Sequence, residues 1–522
     1  MTLQGLVEAM QRPQFYPEKP KEVRMIQTHI SYLFLTEHYV YKVKKNVDFG
    51  FLDFTDLDKR RYYCEKEMEL NSRLAPEIYL EVLPISRNRE GCFVIGKEGE
   101  IVEYALKMKK LPQSGMLKNL LEERIGDSTI FEKIAKKLAE FHKIARSDDT
   151  VSNYGKLEFI LKNHEENFEQ TKPFIGKTIS PFHYELIKSY VYNFTGKHEE
   201  LFSRRVRNGR IRECHGDLHL DHICLSGEEV VIFDCIEFNE RFRFIDVAAE
   251  VAFFCMDLDF NGYDKKVDEF VEAYIRFSED DEVKDLLNFY QCYYAYVRGK
   301  VSSFRLNEEG IPPVETIQIT QTARRYFDLA HKYAVKPKKP LLVIMAGLIG
   351  VGKSTVARAL SEMLKADLLV SDIIRKEMLN IVPTTRYHEP FENGIYSSPI
   401  TKRTYALLHE KAEAILKAGN SVIIDASYRN REDRIAALQL AKNCDADFFV
   451  LECRCPESEI KKRLLLRALD NDEVSDGRWE IYEKQKKVFE PILEMKPNVH
   501  FIFDTTADLT SSLLKLFPLI MR

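Results

Sequence analysis

Hydrophobic and polar positions divide the 522 residues into three regimes. Short β-rich runs dominate the first hundred residues. "THISYLFL" (28–35) and "YVYKVKK" (39–45) are separated only by "TEH", which predicts a hairpin. "DLDKRRYYCEKEMELNSRLA" (56–75) has helical character and is stopped by Pro76. "IYLEVLPISR", "GCFVIG" and "IVEYALKMKK" predict further strands. From about 117 to 210 the pattern is mostly helical, as in "FEKIAKKLAEFHKIAR". A strand, "EVVIFDCIEF", follows, then helices up to Tyr333. A small β-rich lobe before a larger helical lobe predicts an α+β, two-lobed domain.

The third regime begins after "VKPKKP" (335–340), a stiff, polar, extended segment. Beyond it, "LLVIMA", "ADLLVS", "SVIIDAS", "DFFVLEC" and "VHFIFD" alternate with helical stretches. Alternation of this kind predicts an α/β domain with a parallel sheet covered on both faces. The expected organisation is a first lobe at 1–110, a helical lobe at 111–334, a linker at 335–340 and a second domain at 341–522.

Composition adds constraints. Hydrophobic residues make up 45% and charged residues 30%, enough apolar material for large cores. A net charge of -5 argues against a general nucleic-acid coat or a membrane-surface protein, though it leaves room for a local basic groove. The ten cysteines are scattered, with only Cys453 and Cys455 close together, so reduced thiols are expected. The N-terminus lacks a basic region followed by an apolar core, and no apolar run reaches membrane-spanning length. A soluble, cytoplasmic protein is expected.

"GLIGVGKST" fits G-x-x-x-x-G-K-[ST] and sits between a predicted strand and a helix, the context that gives the pattern meaning. Gly347, Gly350 and Gly352 let the backbone curl so that its N–H groups face a polyphosphate, and the helix N-terminus at Lys353, Ser354 and Thr355 adds positive potential. Lys353 is expected to reach the β- and γ-phosphates of ATP, and Ser354 to offer a hydroxyl to Mg²⁺. Asp372 and Asp425 end two strands, with Arg375 one helical turn beyond the first. Ligands of parallel sheets bind at the carboxyl ends of strands, so these groups should face the P-loop. The set resembles the polynucleotide 5′-kinase branch of small P-loop kinases, over roughly 341–504. That resemblance implies Asp372 as the base for the attacking hydroxyl, Arg375 as the group orienting the acceptor, and Asp425 in the Mg²⁺ shell. The alternative for Asp372 is a helix N-cap. Arg463 and Arg467 share a helix face. The resemblance implies lid arginines neutralising the phosphoryl group; the alternative is a solvated basic face. Trp479 is expected in lid or acceptor-site packing.

"ECHGDLHLDHICL" (213–225) concentrates His215, Asp217, His219, Asp221 and His222. A zinc cage needs three or four converging ligands, which so short a loop cannot easily provide. Asp234, at the end of the next strand, gives the order of a catalytic-loop aspartate, a short hairpin and a metal-binding aspartate found in protein-kinase-like phosphotransferases. "HGDLH" resembles the catalytic loop of aminoglycoside and choline phosphotransferases, over roughly 22–330. By that resemblance, Asp217 positions the acceptor hydroxyl as a base, Asp234 holds Mg²⁺ and Asp246 is a structural aspartate. Lys42 would pair with ATP phosphates and with Glu67, and Met108 would lie near the adenine hinge. Lys44 faces the same way as Lys42, so the choice between them stays open. His215 would be structural; His219 and Asp221 would serve loop polarity or acceptor contacts.

Two departures stand out. No G-x-G-x-x-G covers the phosphates; "QTHISYLFL" takes its place, and Ser31 is the expected substitute. The family's second metal-binding position, an asparagine, is His222 here. Mg²⁺ prefers oxygen, so a single Mg²⁺, a preference for Mn²⁺, or a weakened enzyme is expected.

The domain order resembles bacterial two-kinase fusion proteins, with "VDFGFLDF" and "LNSRLAPEIYL" fitting as well. Three readings follow. One is a bifunctional ATP-dependent kinase acting on hydroxyl acceptors, with a nucleic-acid 5′-hydroxyl possible at the P-loop site. The second is a single active P-loop kinase with a degenerate first domain that only binds. The third is an ATP-binding switch. The strongest basic run, "FSRRVRNGRIR" (202–212), is either a phosphate-contacting strip or a solvated helix end.

Overall fold

The computed structural model describes all residues except 1–2, 49, 51, 124–127, 309, 383–391, 468–477 and 522, and the side chains of 3–4, 128 and 467 are also outside the described set. The described residues form two compact units, Met1–Ile179 with Phe194–Ala330, and Ser180–Asn193 with His331–Arg522. The grouping of Ser180–Asn193 with the second unit had no sequence signal. No helix among the described residues is long and apolar enough to cross a membrane.

The first unit opens with an antiparallel sheet of β1 (Arg24–Gln27), β2 (Ser31–Leu35), β3 (Tyr39–Lys44), β4 (Tyr79–Arg87), β5 (Phe93–Ile95) and β6 (Glu100–Lys109). Its order is β1-β2-β3-β6-β4-β5. The predicted hairpin is β2–β3, with Ser31 opposite Lys44 and Leu33 opposite Lys42. Strand β1 was not predicted. Because side chains alternate along a strand, Tyr41 and Val43 join Leu6, Met10, Tyr16 and Phe34 in one core, while Lys42 and Lys44 face the other way.

The face bearing the lysines meets the helix Leu57–Asn71, which is capped by Asp56 accepting from the Asp58 and Lys59 amides. This helix buries Arg60, Cys64, Glu67 and Asn71, spaced at three or four residues. With Leu70 also buried, its inner side mixes charged, polar and apolar groups. Arg60 donates to the Glu103 carboxylate, and Glu67 takes up the two lysines.

The helical lobe follows. Two short ribbons bracket the segment 214–222: β7 (Ile211–Glu213) pairs with β10 (Phe244–Asp246), and β8 (Ile223–Ser226) with β9 (Glu229–Ile232). Asp246 caps the helix Val247–Phe260 through the Ala248 amide and grips the buried Arg205 with both oxygens. That helix is buried from Val247 through Leu258 and packs beside Val283–Phe304. Met108 lies in a cluster with Ala75, Ile78, Leu106, Cys224 and Val231, which joins the β-rich lobe to the helical one.

In the second unit, β11 (Leu341–Ala346), β12 (Asp367–Val370), β13 (Val422–Asp425), β14 (Asp447–Arg454) and β15 (His500–Asp504) form a parallel sheet of order β12-β13-β11-β14-β15. All five strands match the predicted apolar runs. β11 is buried along its whole length, as the central strand of a covered parallel sheet should be.

Candidate functional site

In the first unit, Lys42 Nζ lies 2.7 Å from Glu67 Oε1 and 2.7 Å from Asp234 Oδ1. Lys44 Nζ lies 2.7 Å from Glu67 Oε2 and also pairs with Glu237. Lys42 contacts Asp234, and Lys44 is sealed behind it. Burial disfavours charge on both, but Asp234, Glu67 and Glu237 more than offset it and hold both lysines protonated.

Asp234 adopts a left-handed backbone, φ 64°, a conformation that aspartate tolerates better than most residues. Its amide donates to the Tyr79 hydroxyl at 3.0 Å, and the Cys235 amide donates to Asn71 Oδ1 at 2.8 Å. Burial pushes the Asp234 carboxyl up, yet the Lys42 ammonium beside it carries it well below the usual carboxylate range.

The loop containing Asp217 is held from several sides. Gly216, at φ 86°, sits so close to the Phe242 carbonyl that a Cβ would approach within 2.7 Å. Its amide donates to Glu250 Oε1 at 2.7 Å, while His142 Nε2 meets Glu250 Oε2 at 2.8 Å. His215 donates from Nε2 to the Phe233 carbonyl at 2.8 Å, and its Nδ1 faces the Asp217 amide. His215 is thus the structural residue of the loop. From the β-rich lobe, Arg73 donates to the carbonyls of Glu213 and Cys214 at 2.8 and 3.3 Å.

Two imidazoles adjoin Asp217. His219 Nε2 stands 3.5 Å from Asp217 Oδ2, and His222 Nδ1 stands 3.6 Å from the same oxygen. Across the His222 ring, Nε2 stands 3.5 Å from Asp234 Oδ2. Burial raises the Asp217 carboxyl, but the bond from His219 and the charges around it bring it well down, so it stays ionised. Burial pushes the His222 pKa down to about 4, so this ring is neutral near pH 7.

Ser31, the expected substitute for a glycine-rich loop, begins β2. The β1–β2 turn is closed by Thr28, whose amide donates to the Ser31 carbonyl and whose hydroxyl accepts from the Ser31 amide. The Ser31 hydroxyl shares the face of Lys42 and Lys44 and is buried without a partner among the described residues. A phosphate oxygen would satisfy it, so the residues present fit ATP. The arginines of 202–212 fit a phosphate strip poorly. Arg204, Arg205, Arg207 and Arg210 pair with Glu282, Asp246, Glu200 and Asp280, and Arg212 donates to the Ala145 carbonyl.

In the second unit, Gly347, Gly350 and Gly352 all have positive φ. At Gly347 a Cβ would lie 2.6 Å from the Cys453 carbonyl, so the tight turn admits only glycine. Lys353 opens the helix Lys353–Leu364, which also carries Ser354 and Thr355, and its Nζ reaches the Leu348 carbonyl at 2.8 Å. Asp425, at the end of β13, is buried. Burial raises its pKa, while Lys353 and a hydrogen bond from Ser354 oppose the rise, and Asp372 is close enough to add to it. These oxygens suit a hard divalent cation bound with ATP phosphates.

Asp372 is not the N-cap of its helix. That position is Val370, and Asp372 lies in the first turn, bonded at 2.5 Å by Arg375 Nη1. The Arg375 guanidinium stacks 4.7 Å over the Tyr396 ring, and its Nε is buried with no partner among the described residues.

Arg463 differs from its expected lid role. It donates from Nη1 to Thr505 Oγ1 and from Nη2 to the Thr505 carbonyl, both at 2.9 Å, and reaches the Val351 carbonyl of the P-loop at 3.3 Å. Thr505 Oγ1 donates to that same carbonyl at 2.6 Å. Arg463 thus braces the loop. The Arg467 side chain lies outside the described residues. Trp479 stacks on Tyr482, with ring centroids 4.9 Å apart. Sequence reasoning missed Asn71, Arg73, Tyr79, Glu237, Glu250 and Thr505. Their signal was faint: polar residues at core spacing on a helix, or single side chains gripping distant backbone.

The family model described as an AAA domain matches residues 342–492. An uncharacterized protein of Mycobacterium tuberculosis is 27% identical over 449 residues, covering 86% of this chain and 87% of its own length. Choline kinase from Cryptosporidium parvum is similar in structure at 11% identity and TM-score 0.40, covering 63% of this chain and 95% of that one. A gluconokinase from Sinorhizobium meliloti is similar at 17% identity and TM-score 0.25, covering 35% and 91%. The chain joins a two-lobed α+β unit to a unit with a five-stranded parallel sheet, and the AAA-domain match falls within the second.

Proposed function

We propose that the chain is a bifunctional ATP-dependent kinase, with each unit transferring the γ-phosphoryl group of ATP to a hydroxyl acceptor. The observation that carries this reading is the placement of Lys42 Nζ, 2.7 Å from both Glu67 Oε1 and Asp234 Oδ1. A degenerate binding module has no need of an assembled lysine–glutamate pair beside a metal-binding carboxylate.

Mg²⁺-bound ATP supplies the phosphoryl group and neutralises charge on its oxygens. In the first unit, Lys42 exchanges Asp234 for a phosphate, while Lys44 keeps Glu67 in place. Asp217 stays ionised and accepts the proton of the incoming hydroxyl. In the second unit, Lys353 leaves the Leu348 carbonyl for the phosphates, and Ser354 with Asp425 provides oxygens for the cation. Asp372 serves as base, and Arg375, flattened on Tyr396, orients the acceptor. A 5′-hydroxyl of a nucleic acid is one such acceptor for this second site.

The test is transfer of labelled γ-phosphate from ATP to a panel of polyols, amino alcohols and 5′-hydroxyl oligonucleotides. Asp217→Asn and Lys353→Ala should each abolish one class of labelled product and spare the other. If ATP turnover is indifferent to every hydroxyl compound, or survives both substitutions together, the proposal fails.

A further inference from the structure

The helix Val283–Phe304 brings an arginine to the Asp217 loop. Phe253 lies against His219, with ring centroids 6.3 Å apart, and stacks on Tyr294 at 4.3 Å. Arg298 is four residues beyond Tyr294, so it continues the same helix face by one turn. Its guanidinium stands over the Tyr326 ring, 5.7 Å from the centroid, and Tyr326 is itself stacked on Phe260 at 3.6 Å. Two aromatic stacks thus fix the guanidinium beside the loop.

Arg60, Arg205, Arg241 and Arg243 of the same unit each hold a carboxylate. Arg298 is partly buried and forms no ion pair with a carboxylate among the described residues. Burial disfavours its charge, and Tyr326, Asp217 and Asp257 offset that cost from a distance. Asp257 is occupied: Oδ2 accepts from the Leu220 amide at 2.9 Å and Oδ1 from Asn261 Nδ2 at 3.3 Å. Asp217 is flanked by the two imidazoles. A planar fork of N–H donors therefore stands near the base with no carboxylate to fill it. Such a fork matches the paired oxygens of a carboxylate or phosphate.

We infer that Arg298 receives an anionic group of the first unit's acceptor, which makes that acceptor a hydroxyl compound bearing a carboxylate or phosphate a few bonds from the reacting oxygen. This rests on, and deepens, the phosphotransfer reading of the first unit. Arg298 and Asp217 do not touch, so one molecule can offer its hydroxyl to the carboxylate and its anion to the guanidinium. A cationic acceptor would meet repulsion from the same group.

The experiment uses full-length Lys353→Ala protein with Mg²⁺ and labelled ATP, so that only the first site is read. The probes are matched sets: glycerol, glycerate and glycerol 3-phosphate, then glucose, gluconate and glucose 6-phosphate. Ethanolamine and glucosamine supply the cationic arm. The expected result is a higher kcat/KM for an anionic member than for its neutral and cationic counterparts, with the carboxylate and phosphate arms showing which anion fits. Arg298→Gln should raise the KM for that acceptor about 10- to 100-fold, with kcat and the KM for ATP little changed. Arg298→Lys, which keeps the charge and loses the fork, should recover part of the loss. An equal fall in kcat with every acceptor would mean that Arg298 only keeps Asp217 ionised, and overturns the proposal. Equal or better transfer to the neutral or cationic members overturns it as well. In both cases, transfer that vanishes on adding Asp217→Asn leaves the phosphotransfer reading standing. No Asp217-dependent transfer to any probe overturns both.

Discussion

Lys44 Nζ stands 2.7 Å from Glu67 Oε2, and both side chains are only 1% exposed. The second lysine of β3 is therefore the fixed partner of the glutamate, and Lys42 is the one able to exchange. Removing one member of a buried pair strands its partners and costs about 3–5 kcal/mol. Lys44→Met should lower the stability of the first unit by that order, read as a lower urea midpoint by far-UV circular dichroism. Lys42→Met should cost less stability, because its partner Asp234 is 40% exposed at the side chain, yet reduce transfer at this site by about 10²–10³. Equal stability losses in the two variants would contradict the division of labour.

Arg73 reaches from the end of one helix to the backbone just before the Asp217 loop. It also stacks 5.0 Å over Phe141. Arg73→Ala frees the Glu213 and Cys214 carbonyls and lets Asp217 drift. A misplacement of about 1 Å at the reacting group costs about 10²-fold in rate. The Asp217-dependent activity should fall by that order with the apparent KM for ATP little changed. A wild-type rate would show that the loop is held by Glu250 and His215 alone.

These two residues mark the limit of what the sequence disclosed. The five parallel strands, the P-loop and the β2–β3 hairpin were legible because apolar runs and glycine spacing report local structure. Asp217, Asp234, Lys42 and Glu67 were legible by resemblance, and the structure brings Lys42, Glu67 and Asp234 together. Arg73, Asn71 and Glu237 were not, because they act on backbone and charges far along the chain. The helix Leu57–Asn71 hides its function further: its buried side sets Arg60, Glu67 and Asn71 among Cys64 and Leu70, so hydrophobic periodicity does not reveal which side faces inward. Arg463 shows the converse. Its spacing with Arg467 showed only a shared helix face and the lid role came from the resemblance, whereas the distant Thr505 is its partner in the structure.

Arg463 and Thr505 together brace the Val351 carbonyl of the P-loop. A brace and a charge-neutralising arginine leave different kinetic traces. Arg463→Ala should raise the apparent KM for ATP about tenfold, equivalent to about 1.4 kcal/mol. Arg463→Lys should recover little, because lysine lacks the planar fork that spans Thr505 Oγ1 and its carbonyl. A fall in kcat at unchanged KM would return Arg463 to the transferring phosphoryl group.

His164 should make the first unit acid-sensitive without touching either site. Its ring lies among Phe289, Tyr293 and Phe168, with Nε2 buried and unpartnered among the described residues. Burial pushes its pKa down to about 3, against 6.5 in the unfolded chain. Below pH 6.5 the unfolded chain takes up a proton that the folded one refuses, so stability falls as pH drops toward 3. At pH 5 this residue alone costs about 2 kcal/mol relative to pH 7. His164→Phe keeps an aromatic ring and removes the titration. Urea unfolding at pH 7 and pH 5 should then show a stability difference smaller than wild type by about that amount. The same pH slope in both proteins would mean that the ring is protonated within the fold.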